Sequence, residues 1–196
     1  SRKPEYVYQI EKERAGSYQI EVLAKSKEHE VPITLRFQEL RDEQMQPAHG
    51  ELPFFLQENT VIQFLQYPYE QVVAENFVEI LEKMELINDL SCYEEIYGIL
   101  KKEALDGRKV EQQIIEIGTK RELFFGKDRL DTVLHYKDYT YMKRKWTAYL
   151  KRERKKDPDW VEVMTLLEAF FPPVWRAIIR DEIFIGDWMP ELCRFL

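Results

Sequence analysis

The sequence predicts an α+β protein in which strands come first and helices follow. Up to about residue 66, apolar side chains alternate with polar ones, which is the period of a half-buried strand. Beyond that point, apolar residues recur every three or four positions, which is the period of an amphipathic helix. Because the two patterns are segregated rather than interleaved, an α+β arrangement is expected instead of a sheet built from βαβ units.

The β-rich part is expected to form a domain over residues 1–66. Its predicted strands cover residues 6–10, 18–24, 33–37 and 60–66. Gly16-Ser17 and the polar stretch 25–30 separate the first three runs and are interpreted as hairpin connections. Residues 41–51 are predicted to form a polar loop, because they include Pro47 and Gly50.

A helical domain is expected over residues 67–196. The predicted helices cover residues 73–87, 91–100, 108–117 and 139–156, and a further helix begins at Asp157-Pro158. Ser91 is the expected N-cap of the second helix, and Gly118 is expected just past the end of the third. Pro172-Pro173 is predicted to end or kink the last helix.

Composition limits the class of protein. The chain has 196 residues, of which 44% are hydrophobic, so it can form a core of one domain or two small ones. Its net charge of −7 repels nucleic acid on average, and RNA contact would need a local basic patch. Two cysteines are too few for a secreted disulfide scaffold, and no apolar run approaches the ~18 residues of a membrane span. We therefore expect a cytoplasmic protein that does not associate with membranes.

Motifs of common catalytic sites are missing from the sequence. The seven glycines form neither a dinucleotide-binding fingerprint nor a P-loop, and the three histidines lack partners at metal-ligand spacing. The strand region contains no Asp-x-Asp pair of the kind that holds divalent cations for phosphoryl transfer. No metal ligand is therefore predicted in this chain. It begins at Ser1 without a methionine and is expected to be part of a longer protein.

One segment resembles a known family. Residues 67–77 read YPYEQVVAENF and are similar to the signature helix Tyr-Pro-x-Glu-Glu-Ile-x-Ala-Glu-Lys of the AbiEii-type nucleotidyltransferases, which occur in toxin–antitoxin and abortive-infection systems. SCYEEIY at 91–97, KWTAYLKR at 145–152 and FFPPV at 170–174 resemble later blocks of that family and come in the same order. The resemblance covers about residues 61–179.

The resemblance implies a fold and a chemistry. Residues 1–66 would be part of an antiparallel or mixed nucleotidyltransferase sheet, and a C-terminal helical bundle would follow. The implied reaction is metal-dependent transfer of a nucleotide from an NTP to an RNA acceptor such as a tRNA end, with Mg²⁺ and NTP as cofactors. The implied catalytic positions are Glu75, Asn76 and Glu95. Asn76 replaces the family's lysine, and the two second-helix aspartates of the family fall on Cys92 and Glu95.

Two explanations of these departures stay open. The metal-binding Asp-x-Asp block could lie upstream of Ser1, in which case residues 1–196 alone are expected to be inactive. Alternatively, the chain is a catalytically inactive relative that binds RNA or an antitoxin-like protein through its helical domain. The loss of the lysine at position 76 favours the second explanation.

The strongest local charge asymmetry lies on the predicted helix over residues 139–156. Trp146 and Tyr149 are interleaved there with cationic residues. The residues predicted to bind nucleic acid are Lys143, Arg144, Lys145, Lys151, Arg152 and Lys155, and Arg154 and Lys156 belong to the same cluster. The other interpretation is a solvated helix end, whose cations complement the C-terminal dipole.

Overall fold

The protein separates into two compact units, Ser1–Gln46 and Pro47–Leu196. A computed structural model describes residues 5–14, 17–26, 29–38, 47–53 and 61–196. Helices and small antiparallel sheets occur together in these residues, which confirms the predicted α+β class.

The first unit contains a three-stranded antiparallel sheet of β1 (Glu5–Arg14), β2 (Ser17–Ser26) and β3 (His29–Gln38). The three strands predicted there are confirmed, and each is longer than its apolar alternation indicates. Lys25 pairs across the sheet with Glu30, so β2 and β3 extend into the expected hairpin connection.

The second unit begins with a pair of antiparallel strands, β4 (Ala48–Pro53) and β5 (Val61–Gln66). The prediction of a polar loop is wrong from residue 48 onward, whereas residues 41–46 lie outside the described part of the chain. Gly50 pairs with Phe64, and a Cβ at Gly50 would lie 2.7 Å from the Phe64 ring. The glycine therefore makes room for an aromatic side chain within a strand. The division between the units lies before this pair, whereas the sequence placed it after residue 66.

Six helices follow in the second unit, together with three short strands. The helices are α1 (Tyr69–Lys83), α2 (Ser91–Leu100), α3 (Gly107–Lys120), α4 (Lys127–His135), α5 (Thr140–Arg152) and α6 (Trp160–Arg180). A 3₁₀ turn, Met84–Leu86, extends α1. The strands β6 (Leu105–Asp106), β7 (Asp187–Met189) and β8 (Arg194–Phe195) form a small antiparallel sheet, which joins the C-terminal segment to the start of α3.

The core of the second unit is built around α6, which packs against α2, α3, α4 and α5. Phe171 of α6 stacks on Phe77 of α1, with ring centroids 3.6 Å apart. Trp188 is fully buried and donates a hydrogen bond to the carbonyl of Leu100 over 2.8 Å, which ties β7 to the end of α2. The predicted helical periodicity is thus confirmed, although several predicted helix ends are wrong.

The ends of α2 and α3 differ from the sequence prediction. Ser91 is the first residue of α2 and therefore not its N-cap. Its backbone N–H donates a hydrogen bond to the Asp89 side chain over 3.0 Å. Gly118 lies inside α3, where a Cβ would come within 2.6 Å of the Phe125 ring. Because Gly118 has no side chain, the Phe125 ring from the following loop can pack against this part of α3. Helix α4 was not predicted, because only Leu130 and Val133 of it are buried and a short segment with two such residues has no clear period.

The ends of α5 and α6 also differ. Helix α5 stops at Arg152, because Arg154 has a left-handed φ of 57° and the N–H of Lys155 returns to the carbonyl of Leu150. The N-cap of α6 is Asp159, whose side chain accepts from the N–H of Glu162, and not Asp157. Helix α6 continues through both prolines. Each proline removes a backbone donor, and buried side chains on both sides of the pair offset that loss: Phe170, Phe171, Val174 and Trp175.

Candidate functional site

A cleft of about 500 Å³ lies between α5 and the beginning of α6. We call it the lysine cleft, because four lysines line it: Lys143, Lys151, Lys155 and Lys156. Buried side chains of Trp146, Leu150 and Trp160 form its apolar floor. Among the described residues that line it, Asp159 alone is acidic. The cleft therefore combines excess positive charge with an apolar base.

The lysine cleft is positioned by the way α5 ends. Lys143, Thr147 and Lys151 follow one another at intervals of four positions on α5 and so share one face of that helix. The left-handed residue after α5 then reverses the chain, which brings Lys155 and Lys156 beside the start of α6. One face of α5 and the tight chain reversal after it thus bring together four lysines that are spread over fourteen positions of the sequence.

The aromatic residues interleaved with these cations belong to the core. Trp146 is 2% exposed and donates its indole N–H to the carbonyl of Pro158 over 2.9 Å. Tyr149 is 7% exposed and donates its hydroxyl to the Glu94 carboxylate over 2.5 Å. Burial, followed by the hydrogen bond to Glu94, raises the pKa of Tyr149, which keeps the phenol a donor at neutral pH. Neither ring is available for stacking with a base.

The four lysines differ in their ionic partners. Lys155 Nζ lies 2.5 Å from Glu94, and Lys143 Nζ lies 3.5 Å from Asp138. Lys151 and Lys156 have no ion pair with any described residue. Solvent-exposed ion pairs are weak and exchange readily with other anions. All four ammonium groups are therefore accessible to a phosphate.

The predicted nucleic-acid-binding residues divide into two groups. Lys143, Lys151 and Lys155 line the lysine cleft, and the structure adds Lys156 to them. Arg144, Lys145 and Arg152 do not line it.

The last three have other positions. The Lys145 ammonium donates to the carbonyls of Ile87 and, over 3.1 Å, Glu85. The Arg152 guanidinium lies 5.4 Å from the centre of the Tyr149 ring, and its Nε donates to Glu153 over 3.0 Å. Arg144 is an exposed residue of α5. Sequence position alone did not distinguish these roles.

The structure brings together two of the three predicted catalytic residues. Asn76 on α1 donates its amide N–H to the Glu95 carboxylate on α2 over 2.7 Å. Glu75 is bound instead by Arg121, at the end of α3, and the same guanidinium lies 3.8 Å from Glu82. Adjacent positions on a helix point about 100° apart, which explains why neighbours in sequence have different partners.

Cys92, which the resemblance aligns with the other aspartate of the AbiEii-type family, is a buried thiol. Cys92 is 4% exposed, and its Sγ lies 3.3 Å from the Asp89 carbonyl. Burial raises the pKa of the Cys92 thiol, so it stays protonated at neutral pH and is a poor metal ligand. Within the part of the chain that the structure describes, no group of three or more His, Cys, Asp or Glu residues could hold a metal ion. These residues do not fit a magnesium site.

No family model, curated protein or solved structure matches the chain. The resemblance to the AbiEii-type nucleotidyltransferases therefore stays a prediction. Among the described residues, no helix has the length and apolar character needed to cross a membrane.

Proposed function

We propose that the helical unit binds RNA, and that it does so through phosphate groups at the lysine cleft. The observation that supports this proposal is the convergence of four lysines on one cleft, in a chain whose net charge is −7. Local positive charge on an acidic protein concentrates a polyanion at one place and repels it elsewhere. Lysine is a flexible point charge with three donors, which suits it to phosphate oxygens.

The proposed recognition concerns the RNA backbone rather than the bases. The tryptophans of the lysine cleft are at most 4% exposed, so no aromatic platform is available for base stacking there. Contacts to phosphates fix position without reading sequence. We therefore expect weak discrimination between RNA sequences and a steep dependence of affinity on salt.

Binding of labelled tRNA, followed by fluorescence anisotropy over a range of salt concentrations, tests this proposal. The variant Lys151→Glu/Lys156→Glu reverses the two lysines that have no described ion pair. We expect it to weaken binding at least tenfold at low salt. The magnitude of the slope of log affinity against log salt should fall by about 1.4 to 1.8, since each phosphate contact contributes about 0.7 in a single strand and about 0.9 in a duplex.

The matched control is Arg108→Glu/Lys109→Glu, at the start of α3. It changes the net charge by the same amount, and neither residue lines the lysine cleft. Equal losses in the two variants would mean that only the total charge matters, and would contradict the proposal. So would the absence of detectable binding at low salt.

We propose, as a second candidate function, that the contact between Asn76 and Glu95 belongs to a nucleotide site of the AbiEii type. Two positions that the resemblance assigns to one active site lie 2.7 Å apart, although nineteen positions separate them in sequence. RNA would then bind at the lysine cleft and the nucleotide at this contact.

Restoring the family's lysine tests the nucleotide site apart from RNA binding. The variant Asn76→Lys should increase the affinity for ATP or another NTP in isothermal titration calorimetry, because an ammonium group would meet the triphosphate. The control Asn88→Lys adds the same charge at an exposed position in the loop after the 3₁₀ turn. An equal gain in both variants, or no gain in either, would contradict this second function.

A further inference from the structure

One of the four tryptophans has no acceptor for its indole N–H among the residues that the structure describes. Trp146, Trp160 and Trp188 each donate the indole N–H to a backbone carbonyl at 2.8–2.9 Å. Trp175 is 3% exposed, and its indole N–H has no acceptor among the described residues. A buried donor without a partner costs free energy, so this indole differs from the other three in its environment.

Trp175 forms part of the wall of a second cleft, of about 390 Å³, between α4 and the C-terminal half of α6. Three cations line this cleft: Arg176 and Arg180, which lie one turn apart on α6, and Lys127, at the start of α4. We call it the arginine cleft. Asp131 is the only acidic residue in its described lining, so the local charge is positive.

These cations are poorly neutralised by the protein itself. Arg180 has one ionic contact, at 4.0 Å from Glu182, and both side chains are 61% exposed. Arg176 and Lys127 form no ion pair with the described residues. Two guanidinium groups at adjacent turns offer paired donors to a carboxylate or a phosphate.

The rest of the arginine cleft is apolar. Leu130 of α4 faces Pro172 and Ile179 of α6 across it. A volume of 390 Å³ falls within the range of small-molecule sites, which is about 300–1,000 Å³. Such sites combine an apolar lining with a few polar groups that fix the orientation of the ligand.

We propose that the arginine cleft binds a small organic anion with an apolar body. Arg176 and Arg180 bind its carboxylate or phosphate group, and Lys127 adds a third positive charge. The body of the ligand packs against Pro172 and Ile179, beside the Trp175 side chain that forms part of the cleft wall. This inference does not depend on RNA binding.

The two clefts are separate sites. No described residue lines both of them. Val161, in the lysine cleft, and Arg176, in the arginine cleft, lie fifteen positions apart on α6, which corresponds to about 22 Å along the helix. Ligands of the two sites can therefore be distinguished by the tryptophan that responds to each.

Nuclear magnetic resonance of the ¹⁵N-labelled protein tests the proposal, because the four indole N–H signals report on four different environments. The probe is phenyl phosphate, with phenylacetate to compare the two anionic groups and benzyl alcohol as a neutral analogue. We expect phenyl phosphate or phenylacetate to shift the Trp175 indole signal, because that side chain lines the cleft. The other three signals should stay in place. Trp175→Phe assigns the signal by removing it.

The variant Arg176→Gln/Arg180→Gln should weaken binding at least tenfold, and the control Arg108→Gln/Lys109→Gln should leave it unchanged. The absence of any Trp175 shift up to the solubility limits of both anions would overturn the proposal. An equal response to benzyl alcohol would show a merely apolar cavity, and an equal affinity for inorganic phosphate would show that no organic body is recognised. A shift of Trp146 or Trp160 instead would place the anion in the lysine cleft, which also contradicts the inference.

Discussion

The Tyr136 hydroxyl donates a hydrogen bond to the Glu85 carboxylate over 2.6 Å and so joins the end of α4 to the 3₁₀ turn after α1. The bond affects the acidity of both groups. Burial, followed by the bond to Glu85, raises the pKa of Tyr136. The bond from Tyr136 lowers the pKa of Glu85. The folded state therefore favours a neutral phenol beside an ionised carboxylate.

This pair predicts a pH-dependent contribution to stability. A carboxyl whose pKa is lowered on folding stabilises the protein above its unfolded value, about 4.5 here, and the contribution is lost as the pH falls through the folded pKa. Tyr136→Phe should therefore lower the Tm by a few degrees at pH 7 and by much less at pH 3. Scanning calorimetry of both proteins across this range measures the difference. A deficit that is constant from pH 7 to pH 3 would contradict the assigned role of Glu85.

A second prediction separates the capping role of Asp159 from its charge. Asp159→Asn keeps a good N-cap for α6 but removes the only acidic group that lines the lysine cleft in the described chain. We expect unchanged stability and tRNA binding that is tighter by about 1.4- to fivefold, since an exposed charge pair contributes about 0.2–1 kcal/mol. Asp159→Ala should give the same gain in affinity and lower the free energy of unfolding by about 1 kcal/mol. Unchanged tRNA affinity in both variants would exclude a cation site for RNA at this cleft.

A third prediction concerns Lys145, which the sequence assigned to nucleic-acid binding. Its ammonium satisfies the carbonyls of Glu85 and Ile87 after the end of α1. Lys145→Met should lower the free energy of unfolding by about 1–2 kcal/mol, because two carbonyls lose their donor. The salt slope of tRNA binding should stay unchanged.

The neighbouring exposed variant Arg144→Met is the control for Lys145→Met. It should change the free energy of unfolding by less than about 0.5 kcal/mol. A loss of tRNA binding with full stability in Lys145→Met would restore the sequence-based assignment.

A fourth prediction tests the core around α6. Phe171 is fully buried and stacks on Phe77 with their ring planes 4° from parallel. Phe171→Ala should lower the free energy of unfolding by about 3–5 kcal/mol through the lost burial and the cavity that remains. Urea unfolding measures this loss. Phe124→Ala is the matched control, because Phe124 is 77% exposed and its removal should cost little. Comparable losses for both would mean that Phe171 does not lie in the core.

Local patterns predicted the elements better than their ends. Alternation and helical spacing identified β1, β2, β3, β5 and five of the six helices of the described chain. Ends depended on contacts with distant residues. Glycine is typical of turns, yet Gly50 lies within a strand and Gly118 within a helix. At each position an aromatic ring occupies the space that a Cβ would need. A glycine that makes room for a remote side chain cannot be distinguished from a turn glycine by its neighbours in sequence.

The two clefts also depend on contacts between residues that are distant in sequence. Charge counting found the cations of α5 but treated Lys143 and Lys145 alike, although one lines the lysine cleft and the other binds backbone carbonyls. The arginine cleft gave no sequence signal, because Lys127 and Arg176 are far apart in the chain.

The sequence by itself determined the α+β class, the positions of the periodic segments and the cluster of positive charge. Each of these depends on residue type and on spacing within one element. Tertiary structure alone decided which cations share a cleft, that Asn76 meets Glu95, and that Trp175 has no described acceptor. These outcomes depend on how α1, α2, α4, α5 and α6 pack, and packing is set by the complementary shapes of buried side chains from separate parts of the chain.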